Sequence, residues 1–420
     1  MSGATGARSV FSYPSYRWLW FSGLATFAGQ WVQMASMGWV VYELTGSGAL
    51  VGAVSGVRAL PMLLLAPLSG VAADRFDRAN LLKLSQWMSA ATSILFGAAL
   101  AMDLINIWMM FLFAIVMGAC AVLDRPARQS TAFELVPRDM VMKAVALNTI
   151  GGNLARVVAP ALAGYLIVWI GVAGNFYVQG ALYILSGLLV LKVVMPVRET
   201  KPNRGSAGRQ LIEGLRHVWR EPTTRLLFIL GALPFFLVVP TMGTLFPIYA
   251  KDVFAEGPSG LGLMFSAVGI GGVTGGFLAG WLARFDRTGW IQVGAVMAFC
   301  ASIVGLGLSP TFSWALLACA LSGMTEMIYS VTNMTMVQLA APEEMRGRVS
   351  SILQLYPALI SLGAFLIGPL ADLIGARGTS IATACFCGAV FLLIMLISPR
   401  MRGMRLSQYT GKSGPALVRH

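Results

Sequence analysis

The 420 residues are 57% hydrophobic and only 11% charged, whereas a soluble domain carries about a quarter charged residues. Thirty Lys and Arg face 17 Asp and Glu, a formal net charge of +13. The apolar residues come in runs such as Leu81–Met102, Trp108–Leu123 and Phe386–Ile397, without the alternation of a barrel strand. Runs of ~20 apolar residues cross a bilayer as helices. The composition therefore excludes a soluble enzyme and predicts an all-α polytopic membrane protein.

In chain order the sequence predicts a cytoplasmic arm over 1–16. Six spans follow at 17–43, 49–73, 80–102, 105–126, 141–170 and 174–196, forming a bundle over 17–197. A linker occupies 198–222. Six further spans at 224–250, 259–283, 289–309, 312–341, 348–373 and 379–399 form a second bundle over 223–399, and a tail covers 400–420. The first span is too long for a cleavable leader and lacks a small-residue cleavage site, so it reads as retained. With both ends inside, all of the 30 basic residues except Lys251, Arg377, Arg58 and Arg156 fall on the cytoplasmic side or its margins. This asymmetry orients the chain. The positive charge is thus a topology signal, and no nucleic-acid partner is expected.

Span 1 carries Gln30, Gln33, Met34 and Met37 at helical spacing, a mildly polar, adaptable face. After span 2 comes AADRFDR (Ala72–Arg78), and after span 8 comes WLARFDR (Trp281–Arg287), in which Ala283 replaces Asp74. VPRDM (Val136–Met140) opens span 5 and APEEM (Ala341–Met345) opens span 11. Glycines recur in span 2 (Gly52, Gly56) and span 8 (Gly272, Gly276, Gly280), a spacing that lets helices approach closely. The chain therefore reads as a duplicated six-helix unit, two pseudo-symmetric bundles, the plan of secondary transporters with a central site. In the linker, Leu211, Ile212, Leu215, Val218 and Trp219 repeat at helical spacing among Arg209, Arg216 and Arg220, predicting an amphipathic helix on the cytoplasmic leaflet.

Ionisable groups deep in spans are costly and face a cavity or a partner. Three stand out: Arg58 in span 2, Arg156 in span 5 and Glu326 in span 10. Glu326 could load and release a proton, pair with Arg156, or contact cargo. Asn153, Asn333 and Gln338 add hydrogen-bonding groups to spans 5 and 10. All five cysteines lie within spans. Cys385 and Cys387 point about 200° apart on a helix, too far round for one ion, so no metal site is expected. His217 and His420 are the only histidines, and no phosphate-binding Gly-x4-Gly-Lys-Ser/Thr loop occurs, so no enzyme activity is expected.

Gly70-Val-Ala-Ala-Asp74-Arg75-Phe-Asp-Arg78 resembles the loop 2–3 signature of the major facilitator superfamily. Tyr42–Gly52, Asp124-Arg-Pro-Ala-Arg128, Ala155–Gly164 and Glu344-Met-Arg-Gly-Arg348 are similar to the branch containing the enterobactin exporter and macrolide efflux proteins. The resemblance covers nearly the whole chain. It implies twelve spans in two bundles and a cytoplasmic latch built from Gly70, Asp74, Arg75, Arg78, Asp124 and Arg125 with Arg346 and Arg348. Arg284, Asp286 and Arg287, facing Arg138 and Asp139, would make a weaker second copy. Helices 1, 5 and 10 are expected to line the cleft. One departure is Ala159–Pro160 with a single Gly164, where drug antiporters often show Gly-Pro with paired glycines.

The leading expectation is a proton-coupled exporter of an amphipathic small molecule such as a siderophore, a macrolide or another drug. Proton-coupled metabolite uptake and a non-transporting sensor on the same fold are the alternatives. No cofactor is expected beyond the proton gradient. The expected partners are membrane lipid, protons and the cargo, and the expected form is a monomer in the bacterial inner membrane with both ends cytoplasmic.

Overall fold

The computed structural model describes residues 9–65, 78–194, 207–353, 356–405 and 407–410. Among them, nine stretches are helical, long and apolar enough to cross a membrane. Two of the nine are double. Val141–Leu191 turns back at Gly171 (φ 73°) and Tyr356–Ile397 at Gly375 (φ 74°), each lying between two predicted spans. Only glycine reaches positive φ without cost, so one residue replaces a loop at both places. With the apolar Pro14–Thr45 in front, the helices are consistent with twelve crossings.

The helices relevant below are α1 (Pro14–Thr45), α2 (Gly48–Val57), α3 (Arg78–Ala101), α4 (Ile107–Glu134), α5 (Val141–Leu191), α6 (Ala207–Arg220), α7 (Pro222–Leu237), α8 (Val239–Ile248), α9 (Gly257–Leu282), α10 (Thr288–Leu308), α11 (Phe312–Ala340), α12 (Arg346–Leu353) and α13 (Tyr356–Ile397). Local chemistry sets several of their ends. The Asn106 side chain caps α4 by accepting from Met109 N at 3.1 Å. Glu221 caps α7 through Thr224 N at 2.6 Å, and Pro222 takes the first helical position, where its missing N–H costs nothing. Pro222 therefore starts span 7 as well as ending α6. Span 7, expected as one helix, is broken at Val238 between α7 and α8. Pro240, just inside α8, has no N–H for the Phe236 carbonyl and clashes with it.

The chain divides into two compact units. The first is Met1–Val40 with Leu60–Ala207, and the second is Val41–Ala59 with Gly208–His420. In the first unit, α1 is fastened to α5 by Tyr16 Oη donating to Ala144 O (2.9 Å) and by Trp20 Nε1 donating to Leu147 O (3.0 Å). Phe96, Phe113 and Phe176 from α3, α4 and α5 form an aromatic cluster with ring centroids 4.6–5.5 Å apart.

In the second unit, glycines bring helix backbones into contact. A Cβ at Gly271 or Gly275 of α9 would run into the carbonyls of Ala320 or Met324 on α11, and one at Gly323 into Val268 O. The packing register is thus Gly271/Gly275. Of the glycines expected from the sequence, Gly276 has only ordinary contact and Gly280 meets open space.

Candidate functional site

In the first unit α1 and α5 carry the expected cleft residues. Gln30, Met34, Asn153 and Arg156 are half-buried, and the Arg156 guanidinium lies 5.7 Å over the Trp31 ring. Gln33 and Met37 are turned into the unit. Gln33 is 4% exposed and accepts from Gln179 Nε2 at 3.4 Å.

The polar heart of this unit lies elsewhere. Asp124 and Arg128, one turn apart on α4, form a two-point ion pair: Arg128 Nε donates to Asp124 Oδ2 at 3.1 Å and Nη2 donates to Oδ1 at 2.9 Å. Gln86 Nε2 on α3 donates to Asp124 Oδ1 at 2.7 Å. The same guanidinium reaches α1, donating to Ser22 Oγ and Thr26 Oγ1 at 3.1 Å each and to Leu19 O at 3.4 Å. Ser186 of α5 closes the ring at 2.8 Å from both Ser22 and Thr26. Asp124 is only 4% exposed and Arg128 8%.

The resemblance implies a place for Asp124 in a cytoplasmic latch; α4 runs on to Glu134, past the expected span end at 126, and holds Asp124 and Arg128 buried within the unit. Arg125, next along the chain, is exposed. Gly70, Asp74 and Arg75 lie outside the described residues. Arg78 pairs with Glu134 at 2.7 Å, joining the start of α3 to the end of α4. Arg138 and Asp139 are exposed.

In the second unit Glu326 and Arg58 are both half-buried, on α11 and directly after α2. Asn333 is wholly buried and faces α7, donating to Leu227 O at 3.0 Å; Tyr329 Oη donates to Gly231 O at 2.7 Å and Leu230 O at 3.0 Å. Tyr356 Oη reaches Asn333 Oδ1 at 3.5 Å. Gln338 is exposed. Arg348 pairs with Glu213 of the linker helix α6 at 3.2 Å, while the side chain of Arg346 falls outside the description. Arg284 and Arg287 are exposed, and Asp286 accepts from Ser407 N (2.7 Å) and Ser407 Oγ (3.0 Å), holding the tail.

The structure thus brings Trp31 and Arg156 together and keeps Glu326 on a partly open face. Sequence reading missed Ser22, Thr26, Gln86 and Ser186. Their signal is partial: each is a polar residue inside a span, and the neighbouring α4 carries an acid and an arginine at i,i+4 spacing.

A family model described as transmembrane secretion effector matches residues 5–410. The multidrug efflux pump Tap of Mycolicibacterium fortuitum is 25% identical over 407 residues, covering 92% of this chain and 96% of the pump. The enterobactin exporter EntS of Citrobacter koseri is 26% identical over 369 residues, covering 86% of this chain and 83% of the exporter. Among solved structures, a bacterial homologue of the human lysosomal transporter Spinster superposes with a TM-score of 0.76 at 17% identity, over 94% of this chain and 99% of that one.

Proposed function

The chain belongs to the transmembrane secretion effector family of major facilitator transporters, and from that premise we propose that it exports an amphipathic small molecule by alternating access, driven by proton entry. The family match across residues 5–410 carries this reading, because it spans the whole transport bundle and not one motif. The names of the relatives, a multidrug pump and a siderophore exporter, support outward movement of a bulky cargo over uptake or sensing.

The burial pattern supports assigning coupling to Glu326. Asp124 already accepts from Arg128 at two points and from Gln86, so it is fully occupied inside a rigid ring. Glu326, the acid set deep in span 10, sits half-buried on α11, neither sealed in the core nor fully exposed. Protonated from outside, it would release its proton inward after the return step, with the cargo leaving in the opposite direction. Gln30, Met34, Asn153 and Arg156, half-buried on α1 and α5, are the proposed cargo contacts of the first unit, since Met repacks around varied shapes. The positive-inside asymmetry supports cytoplasmic termini in a bacterial inner membrane.

The test is accumulation of dyes, macrolides and catecholate siderophores in cells stripped of their main efflux pumps. Expression should lower accumulation of at least one class, and an uncoupler should abolish the effect. Glu326→Gln should remove the uncoupler-sensitive part while the protein remains folded. Active efflux at a normal rate in that variant moves coupling to another group.

A further inference from the structure

Residues 41–59 pack with the second unit, although the sequence places them in the first bundle. Helix α2 begins there, and its first donors are taken in two ways. Ser47 Oγ accepts from Leu50 N at 3.3 Å, a local cap. A carboxylate from more than three hundred residues further along takes the others. Asp372, on the first limb of α13, accepts from Gly48 N at 2.6 Å, from Ala49 N at 3.0 Å and from Ser47 Oγ at 2.8 Å. The first turn of a helix offers unpaired N–H groups and the positive end of its dipole, so a carboxylate there is doubly matched.

Below the carboxylate the two helices run at backbone contact. A Cβ on Gly48 would lie 2.9 Å from Asp372 Oδ1, one on Gly52 would meet Ala364 O, one on Gly56 the Phe365 ring, and one on Gly368 the Gly48 carbonyl. Just before α2, the Tyr42 hydroxyl donates to Asp252, and the Lys251 ammonium lies 5.7 Å over the Tyr42 ring. Two segments of the second unit, the first limb of α13 and residues 251–252, therefore converge on one short stretch of chain. That stretch continues through Arg58 to Leu60, where the first unit resumes.

We propose that Asp372 is the releasable clamp of this seam, and that the mouth of the transport path on the side of the α2 N-terminus opens only when Asp372 lets go of Ser47, Gly48 and Ala49. The chemistry suits a contact that is made and broken in each cycle. Three hydrogen bonds to one charge hold strongly while formed. Asp372 is an exposed residue, so water stands ready to replace every bond it gives up. The glycine seam beneath contributes contact without side chains that would have to be re-sorted on reopening. The proposal rests on the reading above only in its placing of the termini in the cytoplasm, which makes this side the outer one.

Spin labels at Leu44 and Leu373, which are 56% and 79% exposed, in a chain cleared of its native cysteines and held in lipid nanodiscs, read the seam directly. The short separation should dominate with Asp372 present. Asp372→Ala should raise the long-distance population about tenfold, the loss expected for a charged hydrogen-bond acceptor. Asp372→Glu should restore much of the short one, and Ser47→Ala should shift it less, because the Gly48 and Ala49 donors remain. Gly52→Leu should open the seam with the charge intact. An unchanged distribution in folded Asp372→Ala overturns the clamp, and does so most clearly if Gly52→Leu opens the seam. Orientation is read separately by labelling Glu43→Cys with a membrane-impermeant maleimide. Failure to label intact cells, with labelling in opened ones, overturns the outward assignment and the cytoplasmic placement of the termini with it, while the distance data still decide whether the clamp exists.

Discussion

The interiors of the two units solve the same packing problem with different chemistry. Asp124 on α4 and Asn333 on α11 are separated by the same interval as the two RFDR copies. Each lies in a polar contact with the first helix of its own half: Arg128, partner of Asp124, reaches Leu19 O, and Asn333 reaches Leu227 O. Around Asp124 the site is ionic and saturated with hydroxyls and an amide. Around Asn333 it is neutral, built from Tyr329, Tyr356 and backbone carbonyls. The duplication preserved the position of a polar tie and let its charge diverge. A saturated ion pair makes the first unit's helices expensive to separate, whereas glycine contacts and single neutral bonds bind the second.

The largest effect should come from orphaning the charge. Arg128→Met leaves Asp124 buried without its partner and should cost about 3–5 kcal/mol, seen as a collapse of folded protein in a detergent thermal melt. Asp124→Asn combined with Arg128→Met should recover most of that loss, and a single Arg128→Met as stable as the parent would refute the ionic account of the first unit. Gly275→Val comes next: a side chain pressed against Met324 O should cost about 1–3 kcal/mol by overpacking, measured in the same melt. Asn333→Ala should be milder, about 1–2 kcal/mol, because the bonds it removes, to Leu227 O and from Tyr356 Oη, are neutral. If Asn333→Ala proved as damaging as Arg128→Met, the two cores would be equivalent after all. The smallest effect belongs to Glu213→Gln at the partly exposed pair with Arg348, about 0.2–1 kcal/mol and weaker in high salt.

Most of the architecture was legible because lipid allows so few solutions: long apolar runs mark the helices, though α4 runs to Glu134 where the pattern ends at 126, and the two RFDR copies mark the repeat. The site was less legible for a definite reason. A segment such as DRPAR (Asp124–Arg128) reads as the end of a span, since hydropathy cannot tell a polar loop from a helical face whose charges satisfy one another inside the bundle. The packing glycines show the same limit. Their four-residue spacing was visible, but whether 271/275 or 272/276 faces α11 depends on helix rotation, which composition does not encode. Asp372 escaped notice because two of its three donors are backbone N–H groups of a distant helix, and the third, the Ser47 hydroxyl, makes no pattern with it in the sequence.

The hairpin turns at Gly171 and Gly375 have a practical consequence. At each turn the chain reverses within a single residue, and Arg377 lies already inside a helix, so the turn itself offers a protease no extended segment to thread and an antibody no loop to grip. An affinity tag inserted at either glycine would have to prise apart a pair of helices to be displayed.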